Sequence, residues 1–374
     1  MKSRPISVRL LLIATACVVV SACRSEPHVG ILLPDTGAAA SYGKAMRQGI
    51  ELAIDEAKAD GTYPEGLMLH WADSQTDPET AAAEFRRLAN EHGAKMIVAG
   101  VTSGEAKALL PVIEDTQAIA LSPSASLPSL TKDSRLFFRV FSSDELEGRR
   151  AGRFLREDQD LDSVLILSED SEQARGIEPP FRQDFEQARG GKVVGKVLLS
   201  ASDWQQQAVD LLEAHRPDAV YILGYAEPTL EVIRMLRTRR YEGIVLASSA
   251  FNSGDVVENN SGLLEGVYFP QPAFDTTDVN PMIQEFVESY RSRFNAEPDI
   301  YAAHAYDAMR VVFEIVPVVP AFETNELRKA LQFEIKEFPG VTGIIQFNEY
   351  GDVHHNPIMF IIKDGEVLNY ERYI

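Results

Sequence analysis

"HVGILLPDTGAAASYGKAMRQGIELAIDEAKADG", residues 28–61, decides the fold. Its first seven residues are a short apolar run closed by Pro34, which reads as a buried strand. Met46, Ile50, Ala53, Ile54 and Ala57 then recur on one helical face, and Gly61 stands where that helix stops. A strand, a loop and an amphipathic helix make one βα unit. Working outward, the unit repeats. "LMLHWADS" (67–74) predicts a strand and "DPETAAAEFRRLANEHG" (77–93) a helix, with Pro78 near its start and Gly93 after its end. "AKMIVAGV", "SGEAKALLPVIEDT", "AIALSPS" and "RLFFRVF" carry the alternation to residue 141.

The rhythm restarts with "EGRRAGRFLRED" (147–158) and "SVLILSED" (163–170). A helix is expected from "PPFRQDFEQARGG" (179–191), and further strands and helices run to "IVLASSAF" (244–251). Strands that are apolar throughout imply parallel sheets covered on both faces. The fold class is α/β, with two doubly wound αβα lobes. Two long helices (278–295 and 299–317), a short strand (343–348) and a hairpin turning at Asp364-Gly365 follow. They are too few for a third domain and return to both lobes. The expected division is 28–142 plus 273–341 for one lobe and 143–272 plus 342–374 for the other. Repeated crossings of this kind make a hinge.

Before this body stands a leader. Lys2, Arg4 and Arg9 precede the apolar run "LLIATACVVV" (11–20), which has the length of a signal-peptide core. Ser21, Ala22 and Cys23 follow. Val20-Ser21-Ala22-Cys23 resembles a bacterial lipobox, which implies cleavage after residue 22 and lipid on Cys23, with 23–27 as a tether. The alternative is an ordinary signal peptide, or a short anchor, with an incidental cysteine. Each buried CH₂ of an acyl chain contributes about 0.8 kcal/mol to membrane binding. Cys17, the other cysteine, lies within the leader, so the mature chain has no disulfide, zinc–thiolate site or cysteine nucleophile.

The formal charge of −20 becomes −23 once the three basic residues of the leader are removed. Such a surface excludes nucleic acid as a partner, because phosphate binding needs basic residues. About 350 mature residues suit two domains.

"ILLPDTGAAASYGKAMRQGIELAIDEAKADG", "DSQTDPETAAAEFRRL", "SPSASLPSLT", "PDIYAAHAYDAMR" and "GVTGIIQFNEYGDV" together resemble type I periplasmic binding proteins, most of all their leucine/isoleucine/valine and amide-receptor branch. The resemblance runs from about residue 28 to about residue 368. It implies two lobes joined by a three-strand hinge, with ligand in the cleft between them. The rule for open parallel sheets independently puts ligand at strand C-terminal ends.

Candidate site residues follow strands. Thr102 and Ser103 open a helix after a strand, where hydroxyls and free N–H groups suit a carboxylate. Read locally, Ser103 serves equally as a plain N-cap; the resemblance makes it a ligand-carboxylate donor. In "LSPSASLP", Pro123 and Pro128 hold an extended loop. The resemblance implies that Ser124 offers its carbonyl and Ser126 its hydroxyl there. Tyr42 and Tyr225 are expected as aromatic walls from opposite lobes, with Phe251 beside Ala250. Two departures stand out. Gln173 replaces an aromatic ring, and Ala250 replaces the glutamate that pairs with a ligand ammonium in relatives. Glu169, Asp170 and Glu227 are the candidate substitutes.

No G-x-S-x-G, H-E-x-x-H, P-loop or G-x-G-x-x-G occurs, so no enzyme, cofactor or metal is expected. His354 and His355 are adjacent on an extended segment and make a poor chelating pair, and His304 sits in an apolar helical stretch and reads as a packed core residue. The expected function is a lipid-anchored solute-binding protein that delivers a small polar ligand to an ABC permease. The alternative is an envelope lipoprotein of the same fold acting through protein contacts, such as a regulator of cell-wall synthases. Arg24, in place of an aspartate after the cysteine, favours the outer membrane if the cell is Gram-negative.

Overall fold

The computed structural model describes residues 26–252 and 256–373, so Cys23 and the leader lie outside the described residues. The first sheet contains β1 (His28–Leu33), β2 (Met68–Asp73), β3 (Met96–Val98), β4 (Ile119–Ser122) and β5 (Phe137–Arg139). Its order is β2-β1-β3-β4-β5, parallel throughout. Between the strands run α1 (Ala40–Asp60), α2 (Pro78–Glu91), α3 (Ser103–Thr116) and α4 (Leu130–Asp133). The punctuation works as the residues dictate. Gly61 takes φ +73° to end α1, and Asp77 caps α2 by accepting from the Thr80 N–H.

After a crossing at 140–143 come α5 (Asp144–Arg153), β6 (Ser163–Ser168), α6 (Glu172–Arg182), β7 (Lys192–Leu198), α7 (Trp204–His215) and β8 (Ala219–Leu223). They are followed by α8 (Ala226–Thr238), β9 (Ile244–Ala247), α9 (Val256–Asn259), α10 (Ser261–Leu264) and β10 (Val267–Gln271). The tail adds α11 (Pro281–Phe294), α12 (Ile300–Val318), α13 (Thr324–Phe333), β11 (Phe338–Gly340), β12 (Gly343–Ile345), β13 (Ile358–Lys363), β14 (Glu366–Asn369) and α14 (Tyr370–Tyr373). The second sheet runs β14-β13-β10-β9-β8-β6-β7, with β13 and β14 antiparallel and the rest parallel.

Both sheets are wound alike. In the first, β1 is flanked by β2 and β3; in the second, β6 is flanked by β7 and β8. Chain direction over the sheet therefore reverses beside β1 and beside β6, and ligands bind in the crevice outside the strand ends at such points.

One hydrophobic core joins β1–β5 to α11, α12 and α13, and the second sheet carries a core on each face. Gly49 lets α1 lie directly on α12, because a Cβ there would stand 2.1 Å from the Ala302 carbonyl. The first core also takes in Val341, Ile345, Phe347 and Val353. The segment from the β11–β12 hairpin to Val353 therefore packs with the first sheet before the chain enters β13 of the second. Asp307 fixes this hairpin by accepting from the N–H groups of Val341 and Thr342 and from the Thr342 hydroxyl.

Among the elements that differ from the sequence expectation, three shape the lobes. α6 begins at Glu172, capped by Ser171, and runs through Pro179 and Pro180 rather than starting there. β10 was not expected, since Gly266 precedes it and Pro270 lies within it; Pro270 pairs with Met359 on the antiparallel side. α13 follows the long helices and completes the first core through Leu327 and Leu331.

Candidate functional site

The loops after β1, β3, β4, β6, β8 and β9 converge between the sheets. Tyr42, Val101, Thr102, Ser103, Ser124 and Ser126 line one side of a cleft, and Gln173, Tyr225, Ser249 and Ala250 the other. Phe141, at the first crossing, and Tyr301, on α12, complete the lining. The enclosed free space is small, about 20 Å³, room for little more than a water molecule, so the two sides of the cleft stand nearly closed on each other.

The start of α3 is built to leave donors free. Thr102, not Ser103, is the N-cap: its hydroxyl accepts from the Glu105 N–H, and the Glu105 carboxylate accepts from the Thr102 N–H and hydroxyl. This reciprocal capping box consumes the Thr102 side chain. Ser103 occupies the first helical position and lines the cleft at the positive end of the α3 dipole. Local sequence left Ser103 as either cap or donor; the structure assigns the cap to its neighbour.

The loop after β4 is held from beneath. The Ser122 hydroxyl donates to the Gly100 carbonyl and accepts from the N–H groups of Ser124 and Ala125. Ser124 uses its own hydroxyl on the Val101 carbonyl, at 2.6 Å. Arg139 is fully buried; its Nη1 donates to the carbonyls of Ala125 and Leu127, and its Nε pairs with Asp352 at 2.5 Å. Ser126 is thereby fixed at the cleft with its carbonyl accepting from the Asp144 N–H.

Aromatic rings form the wall. Tyr42 meets Tyr301 edge-on at 4.8 Å and Tyr225 at 6.0 Å, and Phe141 stacks on Tyr301 at 6.1 Å. The Tyr42 hydroxyl donates to the Ala250 carbonyl at 2.6 Å, joining the first lobe to the second. Lys107 on α3 and Glu172 on α6 make a second, exposed link at 3.0 Å.

Of the residues singled out from sequence, Tyr42, Thr102, Ser103, Ser124, Ser126 and Tyr225 meet at one cleft. Phe251 does not. It is fully buried in the core of the second lobe against Phe269, because the turn 249–251 directs adjacent side chains apart. The three candidate acids are committed elsewhere. Glu169 accepts from the Tyr225 N–H, Asp170 pairs with Arg175, and Glu227 is exposed. Sequence reasoning did not name Val101, Phe141, Ser249 or Tyr301; only Tyr301 lay within a stretch that carried the family resemblance.

His304 is buried, with one ring nitrogen 2.7 Å from the Ile300 carbonyl, and burial lowers its pKa to about 3. His355 is turned to the Ile344 carbonyl while His354 is exposed. Among the described residues no group of three or more His, Cys, Asp or Glu side chains is arranged to hold a metal, and no helix is long and apolar enough to cross a membrane.

Comparisons with known proteins agree with this geometry. The chain is 24% identical over 327 residues to the leucine-, isoleucine-, valine-, threonine- and alanine-binding protein of Pseudomonas aeruginosa, covering 86% of this chain and 85% of that one. A leucine-binding protein from Thermotoga maritima superposes with a TM-score of 0.84 at 23% identity, over 92% of this chain and 97% of its own. An ABC-transporter solute-binding protein of R. palustris in complex with benzoate superposes at 0.80 with 20% identity, over 92% and 96%. The periplasmic binding protein family model matches residues 26–365, and on that match, spanning both lobes and every loop of the cleft, the chain belongs to the periplasmic binding protein family.

Proposed function

We propose that this protein is an extracytoplasmic solute-binding protein that captures a small polar ligand, an amino acid, amide or carboxylate, between its lobes and presents it to an ABC permease. The carrying observation is the convergence of both switch points on one cleft, with free donors of α3 on one side and the Tyr42–Ala250 bond drawing the other side in. Relatives that bind leucine, isoleucine, valine, threonine, alanine or benzoate support this ligand class. Capture works by hinge closure about the three crossings, between a lobe of 28–142 plus the helices after 273 and a lobe of 143–272 plus the C-terminal hairpin. Ser103 and Ser126 hold the carboxylate, the Ser124 loop and Tyr225 orient the ligand, and the protein performs no catalysis.

The test is a thermal-shift and calorimetric screen of amino acids, amides and small carboxylates. A ligand at 100 times its Kd stabilises by about 2.7 kcal/mol. A folded protein stripped of copurified ligand that responds to no member would refute the reading and favour an envelope protein acting through protein contacts. The mature chain is tethered by lipid on Cys23, as Val20-Ser21-Ala22-Cys23 implies. Palmitate labelling that persists in Cys23→Ala would exclude this tether.

A further inference from the structure

Ala250 brings no charge to the cleft wall, yet two acids are buried behind that wall. Asp144, the first residue of α5, is 0% exposed; the Ser126 hydroxyl lies beside its carboxylate and favours the charged form, but no ion pair is made among the described residues. It lies against Gly176 of α6, where a Cβ would stand 2.3 Å from its Oδ2, so only glycine admits the carboxylate. One turn earlier on α6, Gln173 lines the cleft; it is 4% exposed and its Oε1 is unpartnered among the described residues. Glu147, 3% exposed, accepts from the N–H and hydroxyl of Ser249, which also lines the cleft.

Neither Asp144 nor Glu147 makes an ion pair among the described residues. The buried cation nearby, Arg139, pairs through Nε with Asp352, and its charge also favours the ionised form of Asp144 without forming an ion pair with it. The Tyr221 hydroxyl, also buried and unpartnered, lies within the field of both acids. Two buried carboxylates without an ion pair among the described residues, beside a cleft acceptor without a donor, suit a group that brings positive charge and N–H donors together.

We propose that Gln173 and Asp144 form the subsite for a cationic amino group, Gln173 accepting directly and Asp144 supplying the countercharge that Ala250 lacks. This rests on the solute-binding reading and narrows it: the ligand carries an amine as well as a carboxylate. The carboxylate lies at Ser103 and the start of α3, and the amine toward α5 and α6. Burial, and then Glu147, hold the Asp144 carboxyl well above the usual carboxylate range, as befits a group awaiting a cation.

The test titrates the mature protein with L-leucine, L-alanine, their deaminated counterparts 4-methylpentanoate and propanoate, and benzoate. Wild-type protein is expected to prefer an amino acid to its counterpart by about 10- to 150-fold, the range of a hydrogen bond to a charged group. Asp144→Asn is expected to erase that preference by weakening the amino acid alone, and Gln173→Met to reduce it. Equal or tighter binding of the deaminated acids, or binding of benzoate alone, overturns the amine subsite and leaves solute binding standing. Binding of none of the five overturns solute capture of this class, and the subsite with it. The comparison within wild type needs no variant to fold.

Discussion

Replacing Tyr42 by phenylalanine isolates one of the bonds that tie the two lobes together. The ring stays, and with it the edge contacts to Tyr301 at 4.8 Å and Tyr225 at 6.0 Å. The hydroxyl that donates to the Ala250 carbonyl is lost. A neutral hydrogen bond contributes about 0.5–1.5 kcal/mol net, so the closed arrangement should weaken relative to an open one by about 2- to 13-fold. When ligand binds the closed arrangement, its apparent Kd rises by the fraction of competent protein lost. Calorimetry reads this directly, and small-angle scattering of ligand-free protein should show a larger radius of gyration for Tyr42→Phe. Lys107→Ala provides an internal scale. Its pair with Glu172 also spans the lobes, but Lys107 is 55% exposed in its side chain, so water and salt screen it and its effect should be smaller and vanish at high salt. An unchanged Kd together with an unchanged scattering profile in Tyr42→Phe would refute the view that this bond helps set closure.

Other outcomes follow from the same geometry. Thr102→Ala should cost about 1 kcal/mol of stability in chemical denaturation, because it removes a helix cap. Ser103→Ala should leave stability unchanged and weaken a carboxylate ligand by about 10- to 150-fold, measured by calorimetry. Burial raises the Glu147 carboxyl to about 7. Between the ordinary glutamate pKa and about 7, the folded protein holds a proton that the unfolded chain releases, so stability falls as pH rises through that window, by about 3 kcal/mol at its end. Glu147→Gln should flatten this decline in urea unfolding from pH 5 to pH 8. His304 acts in the opposite sense. Its pKa of about 3 keeps it neutral in the fold, so stability is lost as pH falls below the ordinary histidine value, and His304→Gln should reduce that acid sensitivity in unfolding at pH 4.5 and 6.5.

The βα rhythm was legible because each strand is apolar throughout and each helix has one apolar face, signals that survive without tertiary information. β10 was not, because Gly266 and Pro270 read as punctuation; its antiparallel partner lies some 90 residues on and supplies the pairing that local pattern lacks. The start of α6 was misplaced for a related reason. Pro179 and Pro180 favour a helix beginning, and the Ser171 cap eight residues earlier outweighs them. At the site, the segments were legible and the division of labour was not. The spacing of Thr102 and Glu105 is itself a capping-box signature and contains the information that frees Ser103. Phe251 was assigned to the cleft by adjacency, but in a tight turn adjacency separates side chains, and Ala250 lines the cleft while Phe251 enters the core.

The acids behind the cleft mark where sequence reading stops. A search along the loops that follow strands reaches Glu169, Asp170 and Glu227, each of which has other work or faces solvent. Asp144 and Glu147 occupy the first turn of α5, a position where acids ordinarily complement the helix dipole on the surface. Nothing in "SSDELEG" distinguishes a solvated first turn from a buried one. Burial comes from α6, whose Gly176 opens the space that Asp144 fills, and from Ser249, which meets Glu147 from the loop after β9. The same residues join charge to closure. The Asp144 N–H is held by the Ser126 carbonyl, so the cleft loop after β4 is fastened to the start of α5, which carries both buried acids. A hinge opening that parts these two exposes Asp144 to water, where its charge is cheaply solvated, and a closure brings it back into a setting that only a cation relieves. Under the proposed amine subsite, ligand charge and lobe closure form one equilibrium.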